Sequence, residues 1–449
     1  EISLGLVGSE MCIRDSNYGG PKMKAAFYTL GCKVNQYETE YMAELLRNAG
    51  FEIVKENDEA DYYIVNSCTV TATADQKTRK SIRKFKRNHP NSTVILTGCM
   101  PQAFPKEAKE LIEADIVFSN KNDGDILSLI NEYNLNKNRL IKIEEHKAGD
   151  NFWDCSIDRF HERIRAFVKI EDGCDRFCSY CIIPKSRGRV RSKSLDMLKN
   201  EIETLSNAGI KEIVLVGINL SAYGKGENFN IVDAVKICNG NDKIKRIRLG
   251  SLEPDHLTDE VIDGLAKCEK LCPQFHISLQ SGCDKTLKSM NRHYTADEYK
   301  ALCDKLRSSF ENASLTTDIM VGFNDETEHD FNESLDFVKS IAFEKVHVFP
   351  YSERVGTAAS KRGDNVPKQE KERRAAVMIE ETEKIRHDYL KKLVGTNEKV
   401  LFENEIEPNL FQGYTKSYLP VRMKYNRNIV GEELEVKIID YTDEFCIAE

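Results

Sequence analysis

The chain has 449 residues, about three times a common domain length of ~150, so two to four domains are expected. With 40% hydrophobic and 31% charged residues, 25 Gly and 11 Pro, it reads as a folded chain, not a disordered or collagen-like one. No apolar run reaches the ~20 residues that span a bilayer, and a net charge of −8 argues against nucleic-acid binding by global charge, leaving that task to local basic patches.

Residues 1–22 lack periodicity and a usable signal-peptide core, and the character changes at Met23, where MKAAFYTLGC begins an apolar strand. Residues 1–22 are therefore read as a non-native leader, the alternative being a natural disordered arm. Over 23–138, strand-like runs at 25–30, 62–66, 94–97 and, more weakly, 116–118 alternate with helical runs such as 38–48 and 75–87. That alternation predicts a parallel sheet wound with helices, closed by a polar link at 134–138. From about 160 to 391 the alternation restarts with strands at 165–170, 212–216, 246–249, 274–279, 315–321 and 345–350, and helices such as 195–207 and 297–310. Six βα units suit a partial (β/α)6 TIM-like barrel better than a closed eightfold one. Pro367 opens a long charged helix with apolar positions Ala375, Met378, Ile385 and Tyr389, ended by Gly395. Residues 392–449 read as short strands (400–403, 419–424, 434–439), a small all-β, OB-like barrel. The fold class is thus α/β with a small β-barrel at its end.

Fourteen cysteines in a long chain without an evident secretory signal point away from a disulfide framework, so spacing must decide their role. Cys174, Cys178 and Cys181 form Cx₃Cx₂C within EDGCDRFCSYCIIPKSRGR. A structural zinc site wants a fourth protein ligand, and none lies nearby in sequence. Three thiolates suit a [4Fe–4S] cube with one iron open to an exogenous ligand, with zinc or plainly buried cysteines as alternatives. Cys32, Cys68 and Cys99 each follow a predicted strand, so in a parallel sheet they would share one rim, where ligand sites form. The bland reading is three apolar cysteines at strand ends; their repetition in equivalent places favours a second cluster.

Cx₃Cx₂C with Tyr180 before its last cysteine resembles the radical S-adenosylmethionine (SAM) enzymes. The words TLGCKVNQYETE, NSCTVTATADQKTRK, TGCMPQ, EIVLVGINLSAYG, IRLGSLEP, FHISLQSGCDKTLKSMNRHYT and HVFPYSERVGTAAS extend the resemblance, over Met23–Glu449, to the radical SAM methylthiotransferases. Within them, TLGCKVNQYETE is most similar to the branch acting on N6-threonylcarbamoyladenosine at tRNA position 37. The resemblance implies an N-terminal methylthiotransferase domain, a radical SAM core and a TRAM-like RNA-binding barrel. It also implies two [4Fe–4S] clusters as cofactors, with SAM, an anticodon-loop substrate, an electron donor, a sulfur source and a cytoplasmic location. Cys174, Cys178 and Cys181 would hold the radical-generating cluster, and Cys32, Cys68 and Cys99 the auxiliary one. Gly217, Asn219, Ser251, Glu253, Gln280 and Arg354, at or beyond strand ends, are candidate cofactor contacts. The family commonly has GFPGE where this chain has Gly322-Phe323-Asn324-Asp325-Glu326, which puts that loop's geometry in question. Alternatives are the isopentenyladenosine-37 and ribosomal-protein aspartate branches, or a non-enzymatic iron–sulfur or zinc scaffold that binds RNA.

Two basic runs fit an RNA substrate: Lys77, Arg79, Lys80, Arg83, Lys84, Lys86 and Arg87 on one predicted helix, and Lys185, Arg187, Arg189, Arg191 and Lys193 after the cysteine loop. A solvated helix face is the plain alternative for the first. On the final barrel only Lys416, Arg422, Lys424 and Arg427 could contact RNA.

Overall fold

The computed structural model describes residues 22–153, 155–157 and 164–449, so the leader reading falls, but for Lys22, outside the described residues. The chain divides into two compact units, one comprising the residues up to Thr69 with Thr73–Glu145, the other Val70–Ala72 with His146–Glu449.

The first unit holds a six-stranded parallel sheet of β1 (Lys24–Thr29), β2 (Glu52–Val54), β3 (Tyr62–Ser67), β4 (Thr93–Gly98), β5 (Ile116–Phe118) and β6 (Leu140–Lys142), in the order β2-β1-β3-β4-β5-β6. β3 and β4 are buried at every position, as central strands covered on both faces must be. One face packs Met42, Leu46, Ile64, Ile95 and Phe118; the other packs Tyr63, Val65, Ile82, Phe85 and Leu96. The short edge strands β2 and β6 were not anticipated, and β6 carries the sheet beyond residue 138. The helices Lys33–Asn48 and Ala72–Asn88 start earlier than expected, the first already burying Val34 and Tyr37 in its opening turns.

The second unit opens with β7 (Arg165–Lys169), then the antiparallel pair β8 (Glu171–Asp172) and β9 (Arg191–Ser192). β10 (Glu212–Val216), β11 (Arg246–Leu249), β12 (Ser251–Leu252), β13 (Gln274–Ile277), β14 (Ser314–Val321) and β15 (Lys345–Pro350) follow. Two parallel sheets, β11-β10-β7 and β12-β13-β14-β15, meet where the chain steps from β11 through Gly250 to β12, giving six βα positions in sequential order. All six expected strands are present.

The helix Lys368–Leu393 follows Pro367 as foreseen, and Gly395 (φ +89°) lies just past its end. Its packed face differs from the expected one. Of the four apolar positions named, only Met378 is buried; the stripe runs through Lys371, Arg374, Met378, Thr382, Arg386 and Leu390. Arg374 is buried because its guanidinium meets Glu326 (2.8 Å) and Glu370 (2.8 Å).

The last strands, β16 (Asn397–Glu407), β17 (Leu410–Thr415), β18 (Pro420–Lys424), β19 (Glu433–Tyr441) and β20 (Cys446–Ala448), close a barrel in the order β16-β17-β18-β20-β19. β17 and β20 were missed. Gly413 reads as a strand breaker, yet a Cβ there would lie 2.3 Å from the Leu401 carbonyl oxygen, so glycine is what lets β17 cross β16 closely. Two buried arginines of β11 hold the barrel: Arg246 donates to the carbonyls of Lys399 (2.9 Å) and Tyr414 (2.7 Å), and Arg248 to those of Thr415 and Lys416 (both 2.7 Å). Among the described residues no helix is long and apolar enough to cross a membrane.

Candidate functional site

The Cys174 loop leaves the C-terminal end of β7 through β8 and is fixed on both sides. Gly173 takes φ +89°, and a Cβ there would fall 2.0 Å from the Arg189 carbonyl oxygen, so the loop closes on its return strand only with glycine. The Cys174 amide donates to the Gly188 carbonyl (3.0 Å) and the Cys181 amide to that of Cys178 (2.9 Å). Ser179 ties the far side, its amide donating to Met290 O (2.8 Å) and its hydroxyl to Ser289 O (2.9 Å).

Burial pushes the Cys174 thiol up to about 12, and that of Cys181 higher still, with the other thiols of the loop adding to the effect. For Cys178 burial acts the same way, but the Arg292 guanidinium opposes it from 3.3 Å (Nη1 to Sγ). Arg292 is itself buried and grips Glu253 with both terminal nitrogens, Nη1 to Oε1 at 3.2 Å and Nη2 to Oε2 at 2.5 Å, while Nη2 also donates to Ser278 O (2.9 Å). Asn219 Nδ2 lies 3.8 Å from Cys174 Sγ. Three thiols that burial and mutual repulsion keep protonated, with N–H donors aimed at two of them, suit a soft cationic group that deprotonates all three. Among the described residues no group of three or more His, Cys, Asp or Glu side chains is arranged to hold a metal ion.

The other candidate contacts divide. A Cβ on Gly217 would lie 2.6 Å from Glu171 Oε2, the same oxygen that accepts from the Asn219 amide (2.7 Å). Asn219 Oδ1 and Gln280 Oε1 are buried acceptors without a hydrogen-bond partner among the described residues, and Gln280 is held at φ +72°. Glu253 is in the site through Arg292. Ser251 is exposed and pairs with the Ser278 hydroxyl (3.0 Å), and Arg354 is buried in the loop after β15, its carbonyl accepting from Thr357 Oγ1 (2.8 Å). Arg292 and Glu171 were missed, although Arg292 stands within the quoted SMNRHYT. The GFNDE departure is accommodated. Asp325 takes φ +63°, and Asn324 Nδ2 donates to the carbonyls of Ala359 (2.9 Å) and Gly363 (2.5 Å).

In the first unit β1, β3 and β4 are adjacent, with Thr29 beside Asn66 and Asn66 beside Thr97, so Cys32, Cys68 and Cys99 leave one rim on strands ~4.8 Å apart. Cys32 sits at the N-cap of Lys33–Asn48, and Cys99 opens the helix Cys99–Ala103. A Cβ on Gly31 (φ +117°) would be 3.0 Å from Cys68 Cβ, so the first two turns touch. Side chains brace the rim from beneath. Asn35 Nδ2 donates to Asn66 Oδ1 (3.2 Å) and Ser67 O (3.0 Å), and Asn66 Nδ2 returns to Asn35 O (2.9 Å). Ser67 Oγ accepts from the Met100 amide (3.1 Å). The remaining described cysteines (Cys155, Cys238, Cys268, Cys272, Cys283, Cys303 and Cys446) are buried.

The two basic runs fare differently. After the cysteine loop, Arg187 and Lys193 are fully buried: Arg187 and Arg191 face Asp172 (3.6 and 3.2 Å), and Lys193 pairs with Glu201. That run is mostly internal framework because β8 brings Asp172 against it, and only Lys185 and Arg189 are exposed. On Ala72–Asn88, Lys77, Lys80, Lys84 and Arg87 remain on the open face. On the barrel, Lys416 gives its carbonyl to Arg248, Arg422 stacks on Phe445 (3.8 Å) and Arg427 pairs with Glu432, leaving Lys424 the exposed cation without an acidic partner among the described residues.

Residues 24–119 match the uncharacterized protein family UPF0004, and residues 168–338 the radical SAM superfamily. The threonylcarbamoyladenosine tRNA methylthiotransferase MtaB of Thermotoga maritima is 38% identical over 421 residues, covering 94% of this chain and 95% of that protein. Its Bacillus subtilis counterpart is 34% identical, covering 92% and 93%. A tRNA-2-methylthio-N(6)-dimethylallyladenosine synthase of Clostridium botulinum is 35% identical over 423 residues, also covering 92% and 93%. Among solved structures, the radical SAM methyltransferase TsrM of Kitasatospora setae superposes with a TM-score of 0.52 at 13% identity, covering 73% of each chain, a likeness of fold alone. A parallel partial barrel with a Cx₃Cx₂C loop at the end of its first strand, matched by that superfamily, defines a radical SAM enzyme, whose cofactors are a [4Fe–4S] cluster and SAM. Within that class the chain belongs to the radical SAM methylthiotransferases, and it is a transferase.

Proposed function

We propose that the chain methylthiolates C2 of N6-threonylcarbamoyladenosine at position 37 of tRNA. The observation that carries this is the end-to-end similarity to threonylcarbamoyladenosine tRNA methylthiotransferases. Cys174, Cys178 and Cys181 would hold the radical-generating cluster. Cys32, Cys68 and Cys99 would hold a second [4Fe–4S] cluster. When bound, these clusters and SAM supply the hydrogen-abstracting radical and the methylthio group that an unactivated aromatic carbon requires. The chain's own part is to bind and orient. Arg292 and Asn219 would donate to thiolate sulfur, and the orphaned oxygens of Asn219 and Gln280 would accept from amino or hydroxyl groups of a bound cofactor, with Gly217, Ser251, Glu253 and Arg354 as further candidate contacts. Residues 23–138, extended by β6, form the methylthiotransferase N-terminal domain, 160–391 the radical SAM core and 392–449 a TRAM-like RNA-binding barrel; the setting is cytoplasmic, with an external electron donor and sulfur source.

A second reading, dimethylallyladenosine-37 as substrate, is favoured by the 35% identity to synthases of that nucleoside. Mass spectrometry of tRNA nucleosides from a deletion strain separates the two: loss of 2-methylthio-threonylcarbamoyladenosine is expected, and its persistence would remove the favoured substrate. Anaerobically reconstituted protein should carry about eight irons for two cubes. About four would withdraw the second cluster.

A further inference from the structure

The inner face of the partial barrel is polar on one side. Phe275 of β13 packs on Phe310 at the end of the helix Ala296–Ser309 (ring centroids 4.8 Å apart), and Ile277, Leu315 and Ile319 are fully buried, which marks the helix-covered outer face. By strand alternation Gln274 and His276 of β13, and Ser314, Thr316 and Asp318 of β14, face inward. The β14–β15 register puts Lys345 beside Thr316 and His347 beside Asp318. Arg246 and Arg248 occupy the same face of β11. A closed eight-stranded barrel fills such positions with branched apolar side chains. Here every inward position of β11 and β13–β15 below Met320 and Phe349 is polar.

Part of this face is spent on the fold. Arg246 and Arg248 are used by the barrel carbonyls, Glu433 and Glu212. The rest is not. His276 Nε2 meets Asp318 Oδ2 at 3.2 Å and its Nδ1 meets Thr316 Oγ1 at 3.0 Å, and the His347 ring stands 5.8 Å away, centroid to centroid. The Lys345 ammonium and the His347 ring are exposed and have neither hydrogen-bond nor ion-pair partner among the described residues. The His276 and Asp318 side chains keep 20% and 29% of their surface accessible, so the patch is open to a ligand. Through β13 it is connected to the cysteine loop. Two residues past His276, the Ser278 carbonyl accepts from Arg292, the guanidinium that touches Cys178.

We propose that Lys345, His347 and the His276–Asp318 pair form the binding site for the threonyl arm of the substrate nucleoside, a substituent carrying a carboxylate, a hydroxyl and urea N–H groups. Lys345 and His347 take the carboxylate; Asp318, fixed by His276, accepts from the hydroxyl or N–H. An apolar dimethylallyl group would dehydrate these groups and return no hydrogen bond, the situation in which a polar site rejects a ligand most strongly. The inference deepens the threonylcarbamoyladenosine reading and rests on it.

The test uses the reconstituted full-length enzyme and tRNA whose position 37 carries either the free-acid threonylcarbamoyl group or its methyl ester, with product measured by mass spectrometry. Wild type should favour the acid over the ester by about tenfold or more in kcat/KM, the worth of a charge-assisted hydrogen bond. In K345Q/H347Q that ratio should fall towards one, and K345R should restore most of it. A double variant that keeps the wild-type ratio overturns the site while leaving the substrate assignment intact. A wild type that modifies only dimethylallyladenosine tRNA overturns both.

Discussion

Gly173 stands between β8 and Cys174 with no room for a side chain. An added Cβ would meet the Arg189 carbonyl oxygen at 2.0 Å and that of Gly188 at 2.9 Å, in a φ region that L-residues avoid. Gly173→Ala therefore has to part the Cys174–Gly188 hydrogen bond from its loop, at an expected cost of about 2–4 kcal/mol. Urea denaturation and iron per chain after anaerobic reconstitution check it: stability and iron should fall together, and retention of both would mean that the loop tolerates an open return strand. At this scale the placement of the cysteines, three on one loop and three on one sheet rim, was legible because their spacing, and their place after apolar runs, is local information. Arg292 was not, since what makes it special is Glu253, 39 residues away, and Cys178, 114 residues away. The Asn35–Asn66 brace under the other three cysteines was hidden for the same reason. Arg187 and Lys193 misled in the opposite sense: a run of cations reads as surface until Asp172 of β8 and Glu201 supply the carboxylates that draw it inward.

Periodicity located the helix Lys368–Leu393 but assigned it the wrong face, because an apolar stripe was sought where ion pairs do the packing. Lys371 meets Asp364 (2.5 Å), Arg374 meets Glu326, and the Arg386 Nη1 donates to the Glu344 carbonyl (3.4 Å). β17 was lost to its central glycine, and β2, β6 and β20, at three residues each, are too short to show an alternation. The Glu344 side chain at the foot of β15 makes the charged helix face testable. Its Oε2 is buried without a hydrogen-bond partner among the described residues, and burial pushes the carboxyl up to about 8, with Arg386 pulling it back. A carboxyl raised on folding binds its proton more tightly in the folded than in the unfolded chain. Its stabilising contribution is therefore complete below the ordinary carboxylate range and is lost as pH rises towards and through about 8. Glu344→Gln, which cannot ionise, should flatten the fall in Tm between pH 5 and 8.5. A variant whose Tm follows the wild-type curve would show that the carboxyl ionises in the fold at no cost.

Across the whole molecule 73 acidic residues outnumber 65 basic ones, so attraction to a polyanion has to come from where the cations are left uncompensated. Lys77, Lys80, Lys84 and Arg87 follow one another by three, four and three residues along Ala72–Asn88, a stripe on one side of the helix, opposite buried Thr78, Ile82 and Phe85. Their neighbours Arg83 and Lys86 are spent on Glu113 (3.1 Å) and Asp115 (2.8 Å), which leaves the stripe itself without an acidic partner among the described residues. Ten residues of helix rise about 15 Å, enough to follow a few successive phosphates, and each phosphate neutralised adds about 0.7–0.9 to the slope of log affinity against log salt. The variant K77Q/K80Q/K84Q/R87Q should accordingly weaken tRNA binding at low salt and shorten that slope by about three, measured by anisotropy on labelled tRNA over a salt titration, while K80Q alone should shorten it by less than one. Because all four side chains are exposed, circular dichroism and Tm should be unchanged, so a lost slope reports lost phosphate contacts. An unchanged slope in the quadruple variant would return the stripe to the role of a solvated helix face and leave the C-terminal barrel, with Lys424, to carry the RNA.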